Sequence, residues 1–277
     1  MISRGGSRVG TMAIVIWAEA QSKKAMLIDV EFIPTSVALV GSCIAVYTDM
    51  RRRIIPNELN YAMIVFGVGF YLILGLWLRD LFVSFFGVFG AAISFIIGYL
   101  LWRTGGWAGG DVKLYTALGS LLYGYQMPTG NPIYPMPLTI LFNSIIAVLP
   151  VLLIYFVVLR AQGKSAFYDR VRITELKEGM IPAETIFEKK GKICRSSAWF
   201  SLKKDWDRVY TNPRRAAGLT RHQIRVLKKL VRDGKIGDNL RIKKGMPFAP
   251  SLAAGVFVTV IFGDLYWRFM LWLLGYV

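Results

Sequence analysis

Two aspartates stand where carboxylate chemistry at a membrane would need them. Asp49 closes one apolar run and is followed by Met50-Arg51-Arg52-Arg53-Ile54-Ile55-Pro56-Asn57. Asp111 opens another, with Gly109-Gly110 before it and Val112-Lys113 after it. A pair of carboxylates is the minimum apparatus for hydrolysing a peptide bond. One, ionised, takes a proton from the attacking water; the other, protonated, hydrogen-bonds the scissile carbonyl. Close like charges resist ionising together, so such a pair shares a proton and titrates as a coupled dyad. The glycines beside Asp111 suit this use, because a substrate backbone can approach where no side chain intervenes. Taken singly, each aspartate has a plainer reading: Asp49 as an interfacial charge beside three arginines, Asp111 as a first-turn acid favoured by the helix dipole. The other reactive side chains offer less. His222 is the one histidine and reads as a surface residue. Cys43 and Cys194 form no CxxC pair, so neither a metal site nor a disulfide framework is expected, and no cofactor is called for.

The pair matters only if the chain brings both to one side. Of 277 residues, 55% are apolar and 18% charged, and the mean hydropathy is +0.46. The apolar residues fall in long uncharged runs, and crossing ~30 Å of hydrocarbon at ~1.5 Å per residue takes about 20 of them as a helix. The sequence predicts spans at about Phe32–Tyr47, Leu59–Leu78, Leu81–Trp102, Val112–Tyr125, Leu138–Leu159 and Pro247–Trp267, with an apolar tail to Val277. The Gly-rich stretch 104–111 and the four prolines between Met127 and Pro137 mark loops. Basic residues crowd the loops 50–58, 103–113 and 160–247, whereas Arg79 alone serves the opposite loops. By the positive-inside rule the crowded loops face the cytoplasm, and Asp49 and Asp111 then share the inner boundary two crossings apart. An acid at the end of a span is a functional candidate by default. Asp29 and Asp80 fall on the outer side as solvated charges, and Asp264 reads as an i,i+4 partner of Arg268.

The expected fold is therefore an all-α polytopic membrane protein of about six transmembrane helices, with a small basic cytoplasmic domain between the fifth and sixth. Its parts are an N-terminal tail over 1–30, for which Met12 and Met26 are alternative starts, a catalytic core over 31–159, the basic domain over 160–246 and a last helix over 247–277. The net charge of +17 is almost wholly local, since 160–247 carries 23 basic and nine acidic residues, a net of +14. Such a segment is first a topology signal and second an attraction for anionic lipid; nucleic acid is not expected as a partner. Thr220 is a candidate N-cap for a helix whose Ile224, Leu227 and Val231 share a face.

At the two aspartates the sequence resembles the type IV prepilin peptidase family, and within it the archaeal preflagellin and prepilin peptidases. The Asp49 motif resembles the family's Asp, basic turn and Ile-Pro-Asn. Gly109-Gly110-Asp111-Val112-Lys113 resembles its GxGD element and following Lys, and Gly245-Met246-Pro247-Phe248-Ala249-Pro250 is a weaker echo of the lead into its last span. Ala108 replaces the first glycine of GxGD, and the tetracysteine zinc element of bacterial members is absent. The resemblance implies a multi-pass cell-membrane aspartyl endopeptidase with Asp49 and Asp111 as the catalytic pair. Gly109, Gly110, Lys113, Pro56 and Asn57 would support the motif or bind substrate. The implied partners are pilin- or archaellin-like precursors, which lose a short basic leader. Two other readings stand beside it. A presenilin- or signal-peptide-peptidase-like protease would want a Tyr-Asp element within a span. A small ion- or proton-coupled transporter would want acids near mid-bilayer.

Overall fold

The computed structural model describes residues 30–104, 106–163, 168–196, 206–213, 218–243 and 248–276. Residues 1–29 and Gly245–Pro247, which carry the predicted tail and part of the third motif, lie outside the described residues. The chain divides into two compact units, one from residues 1–98, 110–148 and 248–277, the other from 99–109 and 149–247.

The first unit is helical. α1 (Phe32–Arg52) and α2 (Asn57–Leu78) form an antiparallel pair, followed by a single turn, α3 (Leu81–Ser84), and by α4 (Phe86–Arg103). After the Gly-rich loop come α5 (Gly109–Leu122), α6 (Met136–Ala161), α8 (Ala249–Phe262) and α9 (Leu265–Leu273); residues 99–103 of α4 and 149–161 of α6 belong to the other unit, as does α7. Four helices, α1, α2, α4 and α6, are long and apolar enough to cross a membrane; α8 and α9 would add a fifth crossing if the bent pair is one span. This revises the predicted elements in three places. The fourth run keeps its short predicted length but starts three residues earlier, at Gly109 inside the expected loop, and Val112 and Leu114–Leu122 of it are buried, so α5 is a short helix enclosed by its neighbours. The third run breaks at Phe85, because Asp80 accepts hydrogen bonds from the Phe82 and Val83 amides and starts a turn of its own. The last run bends by 61° at Gly263, which takes φ +75°.

That bend explains Asp264. Its carboxylate caps α9 by accepting from the Trp267 amide at 2.8 Å, and it accepts from the Tyr134 hydroxyl at 2.6 Å, so its partners are these rather than the Arg268 side chain. Asn143 of α6 secures the same break, donating to Thr259 Oγ1 and the Gly263 carbonyl at 2.9 Å each and accepting from the Leu265 amide at 3.1 Å. Backbone groups freed by a helix break inside a membrane protein must find such partners.

Small residues let these helices approach closely. A Cβ on Gly90 of α4 would lie 2.0 Å from the Gly119 carbonyl oxygen of α5, and one on Gly67 of α2 would lie 2.7 Å from Ser120 Oγ. On the far side of the bundle, a Cβ on Gly255 would meet Ser144 Oγ at 2.0 Å.

The second unit departs from the all-α expectation. β2 (Thr185–Lys189) pairs antiparallel with β3 (Lys192–Ser196) and with β4 (Arg208–Val209), while β1 (Tyr168–Val171) pairs with β5 (Leu240–Lys243). The turn between β2 and β3 is the two-residue Lys190-Gly191, both at positive φ (50° and 73°), the backbone that matches strand twist in a tight hairpin. α7 (Arg221–Arg232) packs Ile224, Leu227 and Leu230 onto a core with Ile173, Ile186, Leu219 and Leu240; Val231 lies at its edge. Thr220 caps α7 in a reciprocal capping box with Gln223.

Candidate active site

Asp49 lies in the last turn of α1, and the way that helix ends sets the course of the next four residues. Arg53 adopts the left-handed conformation (φ 56°), and its amide closes on the Asp49 carbonyl at 2.9 Å. The chain then runs extended through Ile55 and Pro56, as a residue before proline prefers, and Pro56 (ψ 134°) hands over to α2 at Asn57. Ile55 is thereby turned inward, with 7% exposure.

The start of α5 docks on this turn. A Cβ on Gly110 would sit 3.6 Å from Ile55 Cβ, an ordinary contact distance. Lys113 Nζ donates to Asn57 Oδ1 at 2.7 Å and lies 5.3 Å from the centre of the Tyr61 ring. The structure thus brings the Asp49–Asn57 segment against the Gly110–Lys113 segment, although 56 residues separate Asn57 from Lys113 in sequence. Both acids are withdrawn from solvent at this junction, Asp49 at 8% and Asp111 at 6% exposure. Asp49 Oδ2 is buried with no hydrogen-bond partner. Asp111 occupies the first turn of α5, where the helix dipole favours an anion.

The motif glycines have less conformational work than their type suggests. Neither Gly109 nor Gly110 takes positive φ, and a Cβ on Gly109 would meet nothing within 4 Å. Ala108 is exposed and is not among the positive-φ residues, so alanine in place of the first motif glycine carries no backbone strain. Among the described residues, no group of three His, Cys, Asp or Glu side chains is gathered to hold a metal ion. Sequence reasoning quoted Ile55 only as part of the motif, without a packing role, and missed Tyr61. Tyr61 lies four residues beyond Asn57, one helical turn along the same face, and that spacing was the available signal.

Residues 36–157 match the type IV leader peptidase family, and residues 143–242 match the archaeal peptidase A24 C-terminal domain. Residues 36–157 thus carry the pattern of the type IV leader peptidase family, and the two matches together span residues 36–242. Both aspartates and both halves of the Asn57–Lys113 clasp fall within the first match. The prepilin peptidase EppA of Methanothermobacter thermautotrophicus is 26% identical, over 87% of this chain and 97% of its own length. The preflagellin peptidase of Methanococcus maripaludis is 34% identical over 33% of this chain and 40% of its own length. That of Methanococcus voltae is 31% identical over 43% and 56%. The second family match also covers most of the strand-bearing unit, so that unit too follows an archaeal family pattern.

Proposed function

We propose that this protein is a membrane aspartyl endopeptidase that removes the short basic leader from pilin- or archaellin-like precursors, with Asp49 and Asp111 as its catalytic dyad. The observation that carries the reading is the clasp: the two acid-bearing segments meet through Lys113–Asn57 and Gly110–Ile55, and both acids are buried where they meet. One carboxylate takes a proton from water as that water attacks the scissile carbonyl. The other donates a hydrogen bond to the carbonyl oxygen and then returns a proton to the leaving amine. Burial strengthens these contacts by excluding bulk water. Lys113, Asn57, Pro56, Gly109 and Gly110 hold the acid-bearing turns or line the path of the substrate backbone.

In this reading the chain is a multi-pass protein of the cell membrane, with the dyad at the cytoplasmic face. α5 and the bent α8–α9 pair complete six crossings, 31–159 forms the catalytic core, and 160–246 is a cytoplasmic domain ahead of the last helix. The +14 charge of 160–247 supports the orientation and favours contact with anionic lipid, since a basic leader gains nothing from a basic surface. Nucleic acid is not among the proposed partners.

The test is cleavage of purified archaellin or pilin precursors in proteoliposomes by wild type, Asp49→Asn and Asp111→Asn. The swap preserves size and removes the charge. Wild-type trimming, with each variant folded and inert, is the expected result; trimming by both variants would sink the dyad.

A further inference from the structure

Asn60 is the most anomalous side chain in the helical unit. It is fully buried, and neither its Nδ2 nor its Oδ1 has a hydrogen-bond partner. Buried amides are almost always paired, because leaving one unpaired forfeits its whole hydration. Among the described residues, the other buried side-chain polar groups in this condition, apart from Asp49 Oδ2, are the hydroxyls of Ser42, Ser94 and Thr139. In a helix such hydroxyls need only a rotation to reach a carbonyl of the preceding turn. An asparagine has a donor end and an acceptor end, and at Asn60 both are unpaired.

Its position gives the anomaly a meaning. Asn60 heads the inward stripe of α2 that continues through Met63, Gly67 and Tyr71. It lies one turn beyond Asn57, which holds Lys113 of α5. The contacts Asn57–Lys113, Gly67–Ser120 and Tyr71–Leu121 run in the same order along both helices, so α2 and α5 ascend side by side. Asn60 is therefore about one turn of α5 deeper than Asp111, on the order of 5–6 Å. An extended peptide covers that depth in about two residues at ~3.3 Å each.

We propose that the Asn60 amide pairs with the precursor's main chain about two residues beyond the scissile bond, on the side of its apolar segment. The proposal rests on the peptidase reading. Hydrolysis at the dyad requires an extended backbone, and unwinding the start of an apolar segment at the membrane boundary frees N–H and C=O groups that lipid cannot satisfy. A side-chain amide offers the complement of a peptide group, with Nδ2–H for the carbonyl and Oδ1 for the N–H. Because Asp49, Asp111 and Asn60 are all buried, the substrate that parts the helices to reach the acids also uncovers Asn60.

The experiment uses the full chain in proteoliposomes with a semisynthetic precursor. In one version the amide N–H of the second residue beyond the scissile bond is replaced by an ester oxygen. Wild type and Asp49→Asn calibrate the assay. Asn60→Leu, which removes the unpaired amide at nearly constant volume, is expected to keep or raise the melting temperature while kcat/KM falls about tenfold or more. The ester should slow wild type and make little further difference to Asn60→Leu. Wild-type activity in Asn60→Leu, or an equal ester penalty in both proteins, would overturn the proposal. If the leucine variant fails to fold, Asn60→Ala takes its place, and an equal ester penalty again overturns it. A wild-type chain inert toward every precursor would bring down the peptidase reading and this proposal together.

Discussion

The clasp between Lys113 and Asn57 can be tested for whether it positions Asp111 or merely adds stability. The hydrogen bond is 2.7 Å long and charge-assisted but solvent-accessible, so its net worth is about 1 kcal/mol. Lys113 over the exposed Tyr61 ring contributes about 0.5–1 kcal/mol more. If that ~1.5–2 kcal/mol holds α5 in register with the turn after α1, losing it lowers the population of the aligned arrangement by about 10–30-fold. Misplacement of reacting groups by an ångström can exceed even that. Lys113→Met should therefore lower kcat about tenfold with little change in KM, Asn57→Leu should fall by a similar factor, and Tyr61→Leu by about two- to threefold. Leader cleavage by Lys113→Met, Asn57→Leu and the double variant forms a cycle. A positioning clasp predicts that the double variant is no more than about twice as slow as the slower single one, a coupling near 1 kcal/mol. Strictly multiplicative losses would refute the clasp. Unchanged kcat with a lowered melting temperature would leave it a structural contact only.

Packing and capping lead to three further outcomes. Gly90→Ala places a Cβ where the Gly119 carbonyl oxygen stands 2.0 Å away, so it should destabilise the helical unit by about 2–3 kcal/mol or more, whereas Gly109→Ala, which meets open space, should be nearly neutral; thermal unfolding in detergent distinguishes them. Thr220→Ala breaks the capping box of α7 and should cost about 1 kcal/mol, read as faster hydrogen exchange across residues 221–232. The Asp238 carboxyl is held below its usual range chiefly by the Thr174 amide, helped by the Thr174 hydroxyl. A depressed acid stabilises the fold above its unfolded pKa, and that contribution fades as pH falls through the lower folded value. The Thr174–Leu176 turn should accordingly lose exchange protection on acidification below about pH 4 in wild type, while Asp238→Asn, which has no carboxyl to titrate, shows a flatter profile; identical profiles would refute the assignment.

What the sequence disclosed and what it hid divide along physical lines. The helix ends at Asp49 and Asp111 were legible because charge and glycine interrupt apolar runs. The break at Gly263 was less visible. In hydropathy it looks like one more small residue, and only the partners waiting at Asn143, Tyr134 and Thr259 make an interrupted helix tolerable there. The enclosure of α5 was hidden for a related reason, since an apolar run reads alike whether it faces lipid or other helices. The strands in the basic unit had one local signature, the turn pair Lys190-Gly191, but Thr185–Lys189 and Lys192–Ser196 lack the apolar–polar alternation that marks a strand.

These misses bear on mechanism as well as fold. A short α5 wedged among glycine contacts presents its first turn, with Asp111 and Lys113, to the turn after α1. A helix of the same length facing lipid would have no neighbours to hold that end fixed. The glycines that matter for aligning the proposed dyad are accordingly Gly67, Gly90 and Gly119, buried in the helix contacts. A chain that keeps the motif glycines but fills the space at Gly90 should therefore lose leader cleavage through displacement of α5.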